Sequence, residues 1–266
     1  MKLKMSKREI ALRKEFDAVE KQEKKLRDAA LKPKKQNWKN NIESKIPAKV
    51  YSGLESAFCK AFSLVFSQGR AIIEKSFDKN NIQAEQAIRD YAVQVKGGRK
   101  EYKRIHKSAG QSSTFNMAIT TVEGLALGAL GIGVPDILLF ISTLLKGVYQ
   151  TALNYGFDYT SRQEQYLILK MMQAALSSGE EWPKLDAEVD GLFCLCDEEM
   201  SDEQFNVQLK NTASCFAVDM LLLKFVQGLP ILGLIGGAAN PIYYKRIIRY
   251  VALKYRKHYL MRLMDK

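Results

Sequence analysis

The sequence predicts an all-α fold, a single multi-helix domain. Three observations carry this reading. No stretch alternates apolar and polar residues as a half-buried strand would. Apolar residues recur instead at helical spacing through most of the 266 residues. The breaks between these stretches fall at Gly, Pro, Asn and capping-box residues, where helices start and stop. Hydrophobic residues make up 47% and charged residues 26%, so a sizeable core can be buried and wholesale disorder is excluded.

The elements follow in order. Residues 6–31 alternate charged and small apolar residues, with a thin stripe of Ile10, Leu12, Phe16, Val19, Leu26 and Leu31. This is a basic amphipathic helix, and residues 1–37 read as an extension ahead of a body over 38–266. A polar connection with Trp38 leads to Pro47, which starts a long helix over about 48–77. Asn80-Asn81 restarts the chain into a helix over 82–96, closed by Gly97-Gly98 as a C-cap. Residues 99–109 form a short basic stretch.

Thr114 to Tyr155 is the most unusual region, with Gly124, Gly128, Gly131, Gly133 and Gly147 and a break at Val134-Pro135-Asp136. A helix follows over about 137–154. Ser161-Arg162-Gln163-Glu164 matches a capping box opening a helix to about Ser177, and Ser201-Asp202-Glu203-Gln204 matches a second one, opening 202–227. The polar, acidic stretch 178–200 is loop or short helix. Ile231–Ala239 is again Gly-rich and apolar, and Asn240-Pro241 opens the last helix.

Gly124 with Gly128, and Gly233 with Gly237, each put two side-chain-free positions on one helix face. Two backbones can then approach closely. That spacing suits two central helices packed in a core, a hairpin able to enter a bilayer, or the walls of a ligand cavity. A spanning helix needs roughly 20 mostly apolar residues. Asp136, Lys146, Asp219 and Lys224 interrupt the apolar runs, and Pro230, Asn240 and Pro241 break the longest. The expectation is therefore no transmembrane span. Glu123, Lys146, Asp219 and Lys224 must find partners if buried, and some are expected to meet across helices.

The net charge of +12 is concentrated at the ends. Residues 1–40 carry 14 Lys/Arg against 6 Asp/Glu, and 241–266 carry 8 against 1, which leaves the middle at −3. Segregated positive charge attracts anionic lipid or nucleic acid. On the last helix, Lys245, Arg246, Arg249, Lys254, Arg256, Lys257 and Arg262 surround Tyr243, Tyr244 and further aromatic and aliphatic residues. Tyrosines interleaved with cations suit an interfacial helix whose polar tips reach headgroups. An anionic membrane surface is thus the expected partner. No nucleic-acid module is present, so nucleic-acid binding through the basic termini is the weaker alternative.

The blocks Gly131-Ile132-Gly133-Val134-Pro135-Asp136-Ile137, Tyr155-Gly156-Phe157-Asp158 with Ser161-Arg162, and Leu229-Pro230-Ile231-Leu232-Gly233 through Gly236-Gly237-Ala238-Ala239-Asn240 occur in one order. Together with Lys45-Ile46-Pro47-Ala48-Lys49-Val50 they resemble the EcsC family over about residues 38–263. Where a small residue is expected before Asp136, this chain has Val134-Pro135. The resemblance implies an all-helical protein of the cytoplasmic side, peripheral to the inner face of the membrane. It implies an accessory role linked to a membrane transporter or another membrane protein, in transport or secretion. It supplies no catalytic residues.

No motif of an enzyme or cofactor site occurs: no Walker loop, G-x-G-x-x-G, H-E-x-x-H or G-x-S-x-G. No apolar signal run and no lipidation signature is found, which agrees with a cytoplasmic location. The four cysteines make no C-x-x-C pair, and Cys194-Leu195-Cys196 lacks a second ligand pair. His106 and His258 lie in basic stretches, far along the chain from acidic clusters, so no metal site or cofactor is expected. Asp136, Asp158 and Arg162, beside Gly/Pro breaks, are the candidate catalytic residues of an alternative reading, a hydrolase or lipid-handling enzyme with a cavity between the Gly-rich helices. Asp136 also suits a structural role, since a carboxylate near a helix N-terminus gains about 0.3–1 kcal/mol from the macrodipole.

Overall fold

A computed structural model describes residues 6–32, 47–115, 135–193, 200–226 and 239–265. Every regular element among them is a helix. The first, α1 (Lys7–Ala30), opens with a complete capping box. Glu9 N donates to Ser6 Oγ at 3.1 Å and Ser6 N to Glu9 Oε2 at 2.7 Å. Next, α2 (Ala48–Leu64) runs through a π-helical turn at Val65–Gly69 into α3 (Arg70–Lys75), so the predicted long helix is one rod with a bulge. Then α4 (Lys79–Lys96) begins three residues earlier than predicted, because the Asp78 carboxylate accepts from Asn81 N at 2.9 Å and caps it.

Gly97 ends α4 at φ +55°, a left-handed conformation that only glycine adopts cheaply. The chain turns at once into α5 (Arg99–Phe115). The basic stretch 99–109 is thus helical. Its inward residues Glu101, Tyr102, Ile105 and Ala109 fall at helical spacing among the cations. The remaining helices are α6 (Pro135–Asn154), α7 (Arg162–Leu176), α8 (Glu181–Leu192), α9 (Asp202–Val226) and α10 (Ala239–Met264). The acidic stretch 178–200 therefore contains a three-turn helix.

Two helices form the centre. Helix α6 packs against α10, α5, α4 and α2, and α10 packs against α6, α7, α1 and α5. They approach closely at Gly147, where an added Cβ would overlap the Tyr244 hydroxyl. The outer layer includes α9, which covers α2 and α7 with a run of rings: Phe216 lies 5.3 Å from Phe58 and 5.4 Å from Phe62. Helix α1 lies on α10, α5 and α8. Ile137–Asn154 is long and apolar enough to cross a membrane, but 83% of it is buried among the other helices. Gly124, Gly128, Gly233, Gly237, Trp38, Glu123, Cys194 and Cys196 lie outside the described residues.

Candidate functional site

The last helix is not the interfacial element its composition suggested. Tyr243, Tyr244, Ile247, Tyr250, Val251, Lys254, Tyr255, Arg256, His258 and Tyr259 are all buried, and they cover well over half of the circumference of α10, leaving a narrow outward strip at Ile242, Lys245 and Arg249. Such a helix belongs inside a protein. Its tyrosine tips reach the protein's own acids. Tyr250 Oη donates to Asp186 at 2.7 Å, Tyr255 to Glu164 at 2.5 Å and Tyr259 to Asp90 at 2.7 Å, while Tyr243 donates to the Asp219 carbonyl at 2.8 Å.

The buried cations are likewise matched from within. Lys254 is fully buried. Its ammonium meets Glu23 of α1, Asp186 of α8 at 2.6 Å and Asp190 of α8 at 3.0 Å. It donates hydrogen bonds to Glu23 and Asp190 and pairs by charge with Asp186. Lys257 joins the cluster at 2.9 Å from Glu23 and 2.6 Å from Asp190, and His258 Nε2 lies 3.0 Å from Asp190. The His258 ring also stacks on Phe193, centroids 3.7 Å apart. Burial pushes the Asp190 carboxyl up, but the His258 hydrogen bond and the two ammonium groups outweigh it and hold Asp190 far below the usual carboxylate range. In Glu23 burial likewise pushes up, and Lys254 and then Lys257 outweigh it. Burial first, with the charges of Lys257 and Lys254, lowers His258 against the opposing hydrogen bond and charge of Asp190, which favours the neutral ring, whose N–H then donates to the carboxylate.

Glu23, Asp186 and Asp190 are spaced to hold a metal ion, with ligand atoms within 4.8 Å of one another. The cation they meet here is the Lys254 ammonium. His258, remote from acids along the chain, belongs to this acidic cluster in the fold. A second buried acid of α1, Glu15, bridges Arg256 of α10 at 2.7 Å and Arg99 of α5 at 2.8 Å. Both glutamates lie on the buried face of α1 with Leu12 and Val19. Sequence reasoning passed over them because charged residues on a short amphipathic stripe read as solvated.

The other predicted residues fall as follows. Arg246 pairs with Asp219 at 3.1 Å and donates to the Leu176 carbonyl at 2.8 Å. Asp219 thus finds a cation on α10, while Lys146 donates to the Ser76 carbonyl at 2.9 Å. Arg262 donates to the Tyr155 carbonyl at 3.0 Å with its guanidinium over Phe157. Asp158 is exposed and accepts from Thr160 N at 3.0 Å, a local turn bond. Arg162 pairs with Asp202 and covers the Phe205 ring, its guanidinium 3.6 Å from the centroid. Asp158 and Arg162 therefore have separate local roles and form no common site. Asp136 sits in the first turn of α6, and its side chain lies outside the described ones. Of the cations of α10, Lys245 and Arg249 are exposed with no ion-pair partner among the described residues.

Exposed cations on α1 are interspersed with the exposed acids Glu9, Asp17, Glu20 and Asp28, whereas the one acid of α5, Glu101, is buried and no acid stands among its outward cations. Arg99, Lys100, Lys103, Arg104 and Lys107 line one open concavity of about 370 Å³. All five are exposed. Arg99 reaches Glu15, and the other four have no ion-pair partner among the described residues. At spacings of three and four they form a row opposite the inward face of Tyr102, Ile105 and Ala109. The signal for it was present in the sequence as the basic stretch 99–109, which no motif claims.

A model of the EcsC protein family matches residues 11–260 of this chain. The chain belongs to the EcsC family. The match begins inside α1 and includes α5, α8 and nearly all of α10, so the buried charge cluster and the outward basic row both fall within the family's extent. No curated protein and no solved structure matches this chain.

Proposed function

We propose that this EcsC-family protein is a peripheral membrane protein that binds an anionic lipid surface from the cytoplasmic side and serves there as an accessory to a membrane protein of transport or secretion. The observation that carries the reading is the row Lys100, Lys103, Arg104 and Lys107. These four exposed cations stand on one helix face with no internal partner among the described residues. The buried cations of α10 are satisfied internally and add little to an outside field. Each cation near an anionic leaflet contributes about 1 kcal/mol, so the row alone is worth about 4 kcal/mol before salt screening. The hydrolase reading has no such observation behind it, because Asp158 and Arg162 do not meet.

Co-sedimentation with vesicles tests the proposal. The protein should pellet with phosphatidylserine-containing vesicles, remain free with phosphatidylcholine alone, and be released as salt rises. Absence of binding to anionic vesicles at low salt, with the helical circular dichroism intact, contradicts it. Tighter binding to duplex DNA or RNA at physiological salt would move the row to a nucleic-acid role.

A further inference from the structure

We infer that the α4–α5 hairpin is the element that touches the bilayer, with Ile88, Tyr91 and Val95 of α4 entering the acyl boundary while the α5 row holds the headgroups. This rests on the membrane reading above and adds the contact face to it.

The three residues are the most exposed large hydrophobics among the described residues: Ile88 and Tyr91 at 69% and Val95 at 62%. They are not scattered. With the exposed Ala84 they recur at spacings of four, three and four, on the face of α4 opposite Val93. The inward side of α4 is fixed by specific bonds. Arg89 donates to Asn154 of α6 at 3.0 Å, and Asp90 accepts from Tyr259 of α10. The stripe therefore cannot roll inward without breaking them. Glu85 does not oppose an anionic partner, because Arg89 holds it at 2.8 Å.

What identifies the occupant is the neighbouring charge. Helices α4 and α5 pack on each other and both on α6, so their outward faces lie side by side, away from the core. Residues 91–107 carry six cations against the single acid Glu101, a net of +5. An apolar stripe about 10 Å long, flanked by a cationic row of similar length, has the amphipathic layout of an interfacial helix pair. Tyr91 carries a hydroxyl at its tip, as side chains at the headgroup level commonly do. A protein partner for the stripe would need its own acidic rim beside an apolar patch, whereas an anionic bilayer offers both layers together.

The test uses the full-length protein and vesicles of mixed phosphatidylserine and phosphatidylcholine. The variant Ile88→Ser/Tyr91→Ser/Val95→Ser alters only exposed side chains and should fold. Removing three apolar anchors should weaken vesicle binding by on the order of tenfold to a hundredfold, while the salt dependence set by the α5 row persists. A tryptophan at Val95→Trp should gain a blue-shifted emission, quenched by brominated acyl chains, on adding vesicles. The same probe at the exposed Val207→Trp of α9 should not. If the wild type binds anionic vesicles but the triple variant binds equally well and Val95→Trp is not quenched, the hairpin is not the contact face and the membrane reading stands without it. If the wild type does not bind, both fall. If the triple substitution instead turns a dimer into a monomer in light scattering without changing vesicle affinity, the stripe is a self-association face and the inference is overturned.

Discussion

Lys254 shows how much a single side chain can be misread from composition. In sequence it is one cation in a Tyr- and Arg-rich helix. In the fold it is fully buried and held by Glu23, Asp186 and Asp190. Removing one partner of a buried ionic cluster leaves uncompensated charge in a low-dielectric interior, which costs about 3–5 kcal/mol. Lys254→Ala should therefore lower the unfolding free energy by about that amount in a denaturant titration. A loss below about 1 kcal/mol would show that the carboxylates are hydrated or paired otherwise. Nothing in the local sequence announces this. Glu23 lies 231 residues away, and only the packing of α1 on α10 brings the two together.

At the scale of elements, what was legible was periodicity and punctuation. The long helices, the left-handed Gly97 cap and the box at Ser201–Gln204 are written locally, and the box is complete, with bonds of 3.0 and 3.1 Å. The box at Ser161–Glu164 is only half formed. Glu164 N donates to Ser161 Oγ at 3.1 Å, but the carboxylate turns away and accepts from Tyr255. A long-range partner there wins over the local one. It ties the start of α7 to α10, and burial, ahead of the opposing Tyr255 hydrogen bond, pushes the Glu164 carboxyl up to about 7. A raised carboxyl pKa favours the fold while the group is protonated. Stability from this residue is full below pH about 4.5, the unfolded value, and is lost as pH rises towards 7. Glu164→Gln should flatten the decline of unfolding free energy over that window relative to the wild type. An unchanged slope would mean that Glu164 titrates normally. Helix α5 was missed for the opposite reason. Its cations fill the outward face so densely that the inward spacing of Tyr102, Ile105 and Ala109 is easy to overlook.

Over the whole molecule, positive charge divides into two populations with different work. One is internal: Lys254, Arg256, Lys257 and Arg246 fasten α1, α8 and α9 to the central helix. The other faces outward: the α5 row, Lys245 and Arg249 of α10, and the exposed cations of α1, which are interspersed there with the exposed acids Glu9, Asp17, Glu20 and Asp28. Net charge and its position along the chain carried the membrane reading, but could not say which cations remain available, because neutralisation depends on acids brought from distant helices. The all-α class needed only local patterning, whereas this division depends on tertiary packing. The most direct measurement is a comparison of two variants in phosphatidylserine vesicle co-sedimentation, each matched to wild type for helical content. Lys100→Gln/Lys103→Gln/Arg104→Gln/Lys107→Gln should abolish most of the binding and reduce its salt dependence by about four phosphate-equivalent charges, whereas Lys245→Gln/Arg249→Gln should retain most of it. Full binding by the fourfold variant would contradict the account.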